Sequence, residues 1–535
     1  MIPSFRNASC TIEHSIRRIC LAPTGFPVYT AHGGLHTPLN NLLEGSMNTF
    51  TKLAGSMLLL ALLVPAAHSG TTADGAKKIP ITTASVEARD LFLKGRQLVD
   101  NLRLTDANPL FKKAVDLDPG FALAHLFVAQ TSASAKEFFA SLDKALQHAG
   151  NATEGEKLWI QGVRAGAYAD PGAQQKCYAQ LVDLFPDDER SHMLLGIYHF
   201  GLQEFDQAAR LLKRATEISP GFAPAYNQLG YAYRFLERYD EAEATFKKYT
   251  ELLPDDPNPY DSYGELLLKI GRFQDAIAQY DKALAVDGHF ANSYAGIASS
   301  LTYQGKHAEA LVILDKAAGL ARTDGEKRAA LFGRAVVYAD KGDLNLALKE
   351  MEKQYALGKN TGDVAGMAGD LVFMGNILIE KGDGDNALTR FEKANTLIQS
   401  STLAKEVKEN SALLFYYNAA RATLAKHDIQ ASRKHTDHFR DGVEQKNNLN
   451  QTRLVHELAG RIALEEKNYD RAVAELQQAN LQNPYNLHLL ARAYESEGNR
   501  QKAADTLRQA AHFNSLPALN YAFIRLKAEQ QLKKF

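Results

Sequence analysis

Cysteine is scarce: Cys10, Cys20 and Cys177 are the only three in 535 residues. They form no CxxC pair and no even-numbered framework, so neither disulfides nor a cysteine zinc site holds the chain together. Cys177 lies in the helical-looking stretch Gln175-Lys176-Cys177-Tyr178-Ala179 and reads as a small packing residue. An excess of one charge is missing too. Lys plus Arg number 61 against 62 Asp plus Glu, a net charge of -1, which gives no electrostatic reason to bind nucleic acid or anionic membrane. No GxxxxGK(S/T) loop occurs. The nearest stretch, Gly319–Lys327, has the wrong spacing and reads as an inter-helix loop. His456-Glu457-Leu458-Ala459-Gly460 begins like a zinc-protease helix but has Gly where the second His must stand. No GxSxG elbow is present either. The chain is expected not to be an enzyme and to need no cofactor.

What is present favours helix. Apolar residues make up 45% and charged residues 23%, a normal soluble composition in which Ala, Leu, Gln, Lys and Glu dominate. One histidine pair, His435 and His438, shares a helix face at i and i+3, the spacing at which two imidazoles reach one metal ion. No third ligand stands at suitable spacing, so packing in an irregular repeat is the favoured reading.

The first seventy residues divide in two. From Met47 the sequence reads MNTFTKLAGSMLLLALLVPAAHSG. Lys52 supplies a basic n-region, Met57 to Val64 an apolar h-region, and Ala67-His68-Ser69 small residues at a cleavage site, the order of a secretory signal. That apolar run is far shorter than the roughly 20 residues a spanning helix needs, so no integral membrane segment is expected after cleavage. Residues 1–46 mix Cys, Pro, Gly and His without periodicity, and Met47 is expected to be the true start. Leu43-Glu44-Gly45 is encodable by a GGAGG-like stretch, as a bacterial ribosome-binding site would be. The expected location is periplasmic or secreted.

Beyond the signal, small residues recur at fixed intervals. Gly196, Gly230 and Gly264 stand 34 residues apart, as do Ala208, Ala242, Ala276 and Ala310. Leu212, Phe246, Tyr280 and Leu314 follow each alanine by four, and Pro220, Pro254 and Gly288 close the units. A glycine facing an alanine lets two antiparallel helices approach closely. Phe246 is expected to fill the space against the next hairpin, and Pro254 to end the helix. Each such hairpin keeps an apolar face that only a neighbour covers, so the units must stack.

These columns resemble the tetratricopeptide repeat, a 34-residue helix–turn–helix. Residues 223–256 match best, through Tyr226, Leu229, Gly230, Tyr233, Ala242, Phe246 and Pro254, with Tyr249 where the family prefers Ala. The resemblance implies an all-α fold, a right-handed α-solenoid of stacked hairpins, in an exported bacterial protein. Residues 70–84 read as a linker, 85–323 as an N-terminal array, 324–400 as central units, 401–447 as a degenerate repeat, and 448–535 as C-terminal units with a capping helix of polar outer face. About ten to eleven hairpins are expected, with a loop or joint at Gly358–Asp363.

In that family the first helix of each hairpin lines a concave groove. The matching positions are Asn227, Tyr231, Arg234 and Phe235, then Asn258, Asp261, Glu265 and Lys269, then Asn292, Ser299, Thr302 and Tyr303. Upstream, Arg190, Met193, Ile197 and Phe200 form a more apolar stretch. Amide, aromatic and charged side chains together suit an extended peptide, whose backbone needs hydrogen bonds and whose side chains need apolar contact. The carboxylate clamp of chaperone-binding members is not matched, because Tyr231 stands where it needs a polar group. The resemblance thus implies a non-enzymatic scaffold for a protein or peptide partner. A small-ligand or glycan receptor built on Tyr231, Phe235 and Tyr303 is the alternative, and oligomeric state is not legible.

Overall fold

The computed structural model describes residues 78–535, apart from Leu102, Ala133, Ser134, Ala169, Ala404 and 445–447. The segments 1–46 and 47–69, and most of the linker 70–84, lie outside the described residues. Every regular element among the described residues is helical. Twelve antiparallel hairpins follow one another, more than the ten to eleven expected, and a single helix ends the series. The first four are Val86–Asp100 with Leu104–Leu117 (α1, α2), Ala122–Gln130 with Ala135–His148 (α3, α4), Glu154–Ala167 with Pro171–Leu184 (α5, α6), and Glu189–Gly201 with Phe205–Ile218 (α7, α8). Next come Ala223–Phe235 with Tyr239–Leu252 (α9, α10), Pro257–Lys269 with Phe273–Val286 (α11, α12), Ala291–Tyr303 with His307–Leu320 (α13, α14), and Asp324–Asp340 with Leu344–Thr361 (α15, α16). The last four are Val364–Glu380 with Gly384–Gln399 (α17, α18), Lys405–Ala425 with Ile429–Glu444 (α19, α20), Leu449–Glu465 with Tyr469–Leu476 (α21, α22), and Pro484–Glu497 with Arg500–Ala511 (α23, α24). Leu519–Leu532 is α25. The array is an α-solenoid in which each hairpin packs on the next.

One spatial rule builds the hairpins. A Cβ placed on Gly230 would lie 2.7 Å from the Phe246 ring, and one on Gly264 would lie 2.8 Å from Tyr280. The same offset pairs Gly95 with Phe111, Gly162 with Tyr178, Gly196 with Leu212, Gly375 with Phe391 and Gly460 with Leu476. Phe246 therefore packs on the glycine of its own hairpin, and the equivalent Tyr280 touches both Gly264 of its own hairpin and Gly296 of the next. The bulky residue of the second helix fills the notch that the glycine leaves in the first. Ala208, Ala242, Ala276 and Ala310 are fully buried, as Phe246 and Tyr280 are.

The turns follow a second rule. From the fourth hairpin to the eleventh, the second residue beyond each first helix adopts positive φ: Gln203, Glu237, Gly271, Gly305, Gly342, Gly382, His427 and Lys467; in the twelfth Gly498 does so one residue earlier. Hairpins then start on capping side chains such as Asp188, Asp256, Asn448 and Asn483. The joint expected at Gly358–Asp363 is instead a tight connection. Helix α16 continues through Thr361, Gly362 caps it at φ 68, and Asp363 caps α17. Likewise the Gly319–Lys327 stretch is mostly helix, since α14 runs to Leu320 and α15 begins at Asp324. Residues 405–444 form a full hairpin.

Helix α25 departs most from expectation. Leu519, Tyr521, Phe523, Ile524 and Ala528 are all buried, in one apolar cluster with Ala335, Leu371, Ile377 and Leu487. It packs against α15 and α23, so it fills the space between distant hairpins instead of offering a polar outer face.

Candidate functional site

The face made by the first helices of successive hairpins is where the sequence places a groove. Asn227, Tyr231, Arg234, Asn258, Asp261, Glu265, Ser299 and Thr302 are buried there, while Phe235, Lys269, Asn292 and Tyr303 are partly exposed. Burial has a specific cause. Tyr231 donates its hydroxyl to Glu265 Oε2 at 3.0 Å, and Arg234 pairs with Glu265 Oε1. Ser262 donates to Asn227 Oδ1 at 3.3 Å, and Ser293 to Asp261 Oδ1 at 2.7 Å. Polar groove positions of one hairpin are thus spent on the next hairpin, where buried polar groups need partners. Burial, with the Glu265 carboxylate beside it, pushes the Tyr231 phenol well above its ordinary value.

An aromatic pocket from Tyr231, Phe235 and Tyr303 is not assembled. Tyr231 is buried, and the Tyr303 ring packs on Tyr521 with centroids 5.1 Å apart. Phe235 instead stacks on Phe205 at 4.7 Å and meets Phe200 edge-on at 5.7 Å. Phe200, Met193 and Ile197 are partly exposed beside it, whereas Arg190 is buried in ion pairs with Asp100 and Glu189.

Part of this face already holds a segment of the chain. Lys269 donates Nζ to the Phe513 carbonyl at 2.8 Å and lies 4.1 Å from the centre of the Phe513 ring. Asn514 Nδ2 donates to the Lys269 carbonyl at 3.3 Å, and Tyr303 donates its hydroxyl to the Ser515 carbonyl. Further along, Arg525 grips Asp340, which also bonds His307 Nε2 at 2.9 Å. Glu380 takes Lys527 Nζ at 2.9 Å and the Tyr485 hydroxyl. Lys269, Tyr303, Asp340 and Glu380 are the last residues of α11, α13, α15 and α17. Residues 513–527 therefore run along four consecutive first helices in hairpin order. Burial, with Arg234 nearby, lowers the Lys269 ammonium to about 7. Sequence reasoning reached Lys269 and Tyr303 but missed Asp340, Glu380, Phe513 and Arg525.

His435 and His438 lie on α20 beside Tyr416, whose ring centre is 6.2 and 5.1 Å from theirs. Among the described residues no group of three or more His, Cys, Asp and Glu side chains is placed to hold a metal. Nor is any described helix long and apolar enough to cross a membrane.

Three stretches match tetratricopeptide repeat models: residues 199–266, 263–325 and 487–513. No curated protein matches the chain. Among solved structures, a tetratricopeptide repeat protein from Parabacteroides merdae is 16% identical, over 48% of this chain and 99% of its own, with a TM-score of 0.36. The thermophilic protein TTC0263 from Thermus thermophilus is 24% identical over 40% and 98%, with a TM-score of 0.27. MamA from Desulfovibrio magneticus is 14% identical over 31% and 93%, with a TM-score of 0.28. The 34-residue columns, the hairpins they build and the matched models agree: residues 199–325 and 487–513 are tetratricopeptide repeats within an all-α solenoid.

Proposed function

We propose that this chain is a non-enzymatic scaffold, exported to the periplasm or beyond the cell, that holds a protein or peptide segment on the face made by its first helices. The observation that carries the reading is the seat of residues 513–515. There the Lys269 ammonium and the Tyr303 hydroxyl donate to the main-chain carbonyls of Phe513 and Ser515, and the Phe513 ring lies against Lys269. Such contacts read main-chain groups and so suit a segment of almost any sequence. The neighbouring stretch toward hairpin 4 has Met193, Ile197, Phe200 and Phe235 partly exposed in a row. A partner segment fits there, with an aromatic or aliphatic anchor against the Phe200–Phe235 edge.

The test is a titration calorimetry screen of the purified chain against extended peptides with aromatic anchors, repeated with Phe235→Asp and Phe200→Asp. Binding lost by both variants at unchanged helicity supports the reading. Peptides that bind both variants as tightly as the parent contradict it. Export is tested separately by fractionation and by the mature N-terminus, expected just after Ser69.

A further inference from the structure

Just before the first hairpin, residues 78–84 have no helix and cross the starts of several hairpins. Ala84 N–H and the Thr83 hydroxyl donate to Asp118 Oδ2, the former at 2.9 Å. Thr82 N–H donates to Glu156 Oε1 and its hydroxyl to Glu156 Oε2, both at 2.7 Å. Ile79 N–H donates to Asp188 Oδ2 at 2.8 Å, and Lys78 pairs with Glu189. Moving from Asp118 to Glu156 to Asp188 thus uses two or three residues of the segment per step. At roughly 3.3 Å per residue that is about 7–10 Å, close to the 8–10 Å between packed helices. An extended chain and a stack of hairpins have matching pitch.

The carboxylates divide their work. Asp118 Oδ1 accepts Gly120 N–H and Asp188 Oδ1 accepts Arg190 N–H, holding their own turns. Glu156 Oε2 closes the capping box with Thr153, while Oε1 takes Thr82 N–H. In each case one oxygen builds the hairpin start and the other takes a main-chain N–H of the segment, with Glu156 Oε2 accepting the Thr82 hydroxyl as well. The seated stretch itself is largely exposed. Lys78, Pro80, Thr82 and Ala84 are exposed, and only Ile79 is buried, in the cluster with Phe121 and Trp159.

We propose that Asp118, Glu156, Asp188 and Glu189 form a rail that docks an extended peptide in trans, filled in this structure by the chain's own Lys78–Ala84. The occupant it fits is a strand-like segment with Lys or Arg at its N-terminal end, an aliphatic residue next to it, and Ser or Thr three to four residues on. Recognition is mainly of backbone N–H and hydroxyl groups, which carboxylates accept through strong charge-assisted hydrogen bonds. A tethered occupant competes at an effective concentration on the order of 1 mM. A free peptide therefore binds weakly until the tether is dislodged.

The test uses the full chain with Ile79→Asp and Thr82→Pro together, which remove the buried anchor and the N–H given to Glu156. The probe is a fluorescent peptide with the sequence of residues 77–85, read by anisotropy. The expected result is saturable binding to the altered chain, at least tenfold weaker binding to the unaltered one, and at least tenfold loss when the amide matching Thr82 is N-methylated. No binding to an altered chain of native helicity overturns the proposal, and so does indifference to N-methylation. Should the altered chain lose helicity, hydrogen exchange on the unaltered chain decides. Amides of Ile79, Thr82 and Ala84 that open at least tenfold faster than those of α5 and α7 support a detachable segment, and equal protection overturns it.

Discussion

Arg525 holds Asp340 with both arms of its guanidinium, Nε to Oδ1 at 2.7 Å and Nη2 to Oδ2 at 2.6 Å, across 185 residues of sequence. Asp340 is 2% exposed and Arg525 5%. Removing one member of a buried pair strands the other charge, at a cost of about 3–5 kcal/mol. Arg525→Ala is expected to lower stability by that amount in urea denaturation. The paired change Arg525→Met with Asp340→Leu is expected to recover most of it, because neither charge is then left buried. A single variant of near-parental stability would contradict this.

Gly230 and Phe246 offer a second check. With a Cβ only 2.7 Å from the ring, Gly230→Ala is overpacked and should cost about 1–3 kcal/mol. Adding Phe246→Leu makes room and should return part of that loss, visible as non-additivity in a double-mutant cycle.

Turn chemistry supplies a third. Gln203 adopts φ 64 where most later hairpins use glycine. Gln203→Gly removes the strain of a side chain in the left-handed region and should stabilise by up to about 1 kcal/mol. Gly305→Ala, at φ 75, should lose a similar amount. Thermal melts of the two variants moving the same way would contradict the account.

Acid is expected to loosen residues 513–532. Burial lowers Lys269 to about 7, and burial with Arg492 nearby lowers His488, which bonds Gln531, to about 4. Both folded-state values lie below the unfolded ones, so the stability they permit is complete above about 10.5 and 6.5 respectively. It is lost as pH falls through about 7 for Lys269 and through about 4 for His488. Asp370, raised by burial to about 6, has the opposite sign: its contribution is present below 3.8 and lost as pH rises through about 6. A local readout is therefore required. Hydrogen exchange of α25, corrected for intrinsic rates, should quicken between pH 8 and 4.5, and Lys269→Met should remove the upper part of that change.

The hairpins were legible because their determinants are local and repeat. Gly230 with Ala242 and Phe246 marks one unit, and the same columns mark the next. The exact job of the glycine was not legible, since spacing alone does not say whether Phe246 meets its own hairpin or its neighbour. The burial of the groove residues had a trace in the sequence. Tyr231 and Glu265 are 34 apart, Asn227 and Ser262 are 35 apart, and Asp261 and Ser293 are 32 apart. Complementary polar side chains one period apart read as stacking contacts before they read as a free surface. The seat of Phe513 on Lys269, 244 residues away, had no such trace. No periodic pattern links them, and the apolar face of α25 reads equally well as an end cap.

Because α25 lies within the curl of the array, this molecule is closed late. A chain that stops at Ala511 lacks the helix that covers Leu371, Ile377 and Leu487, and leaves those side chains facing water. Quality-control proteases should therefore clear a chain cut at residue 512 quickly, although it lacks so little. Pulse-chase lifetimes, short for that product and long for one trimmed only after Leu532, would show how much of the whole waits on its final turn.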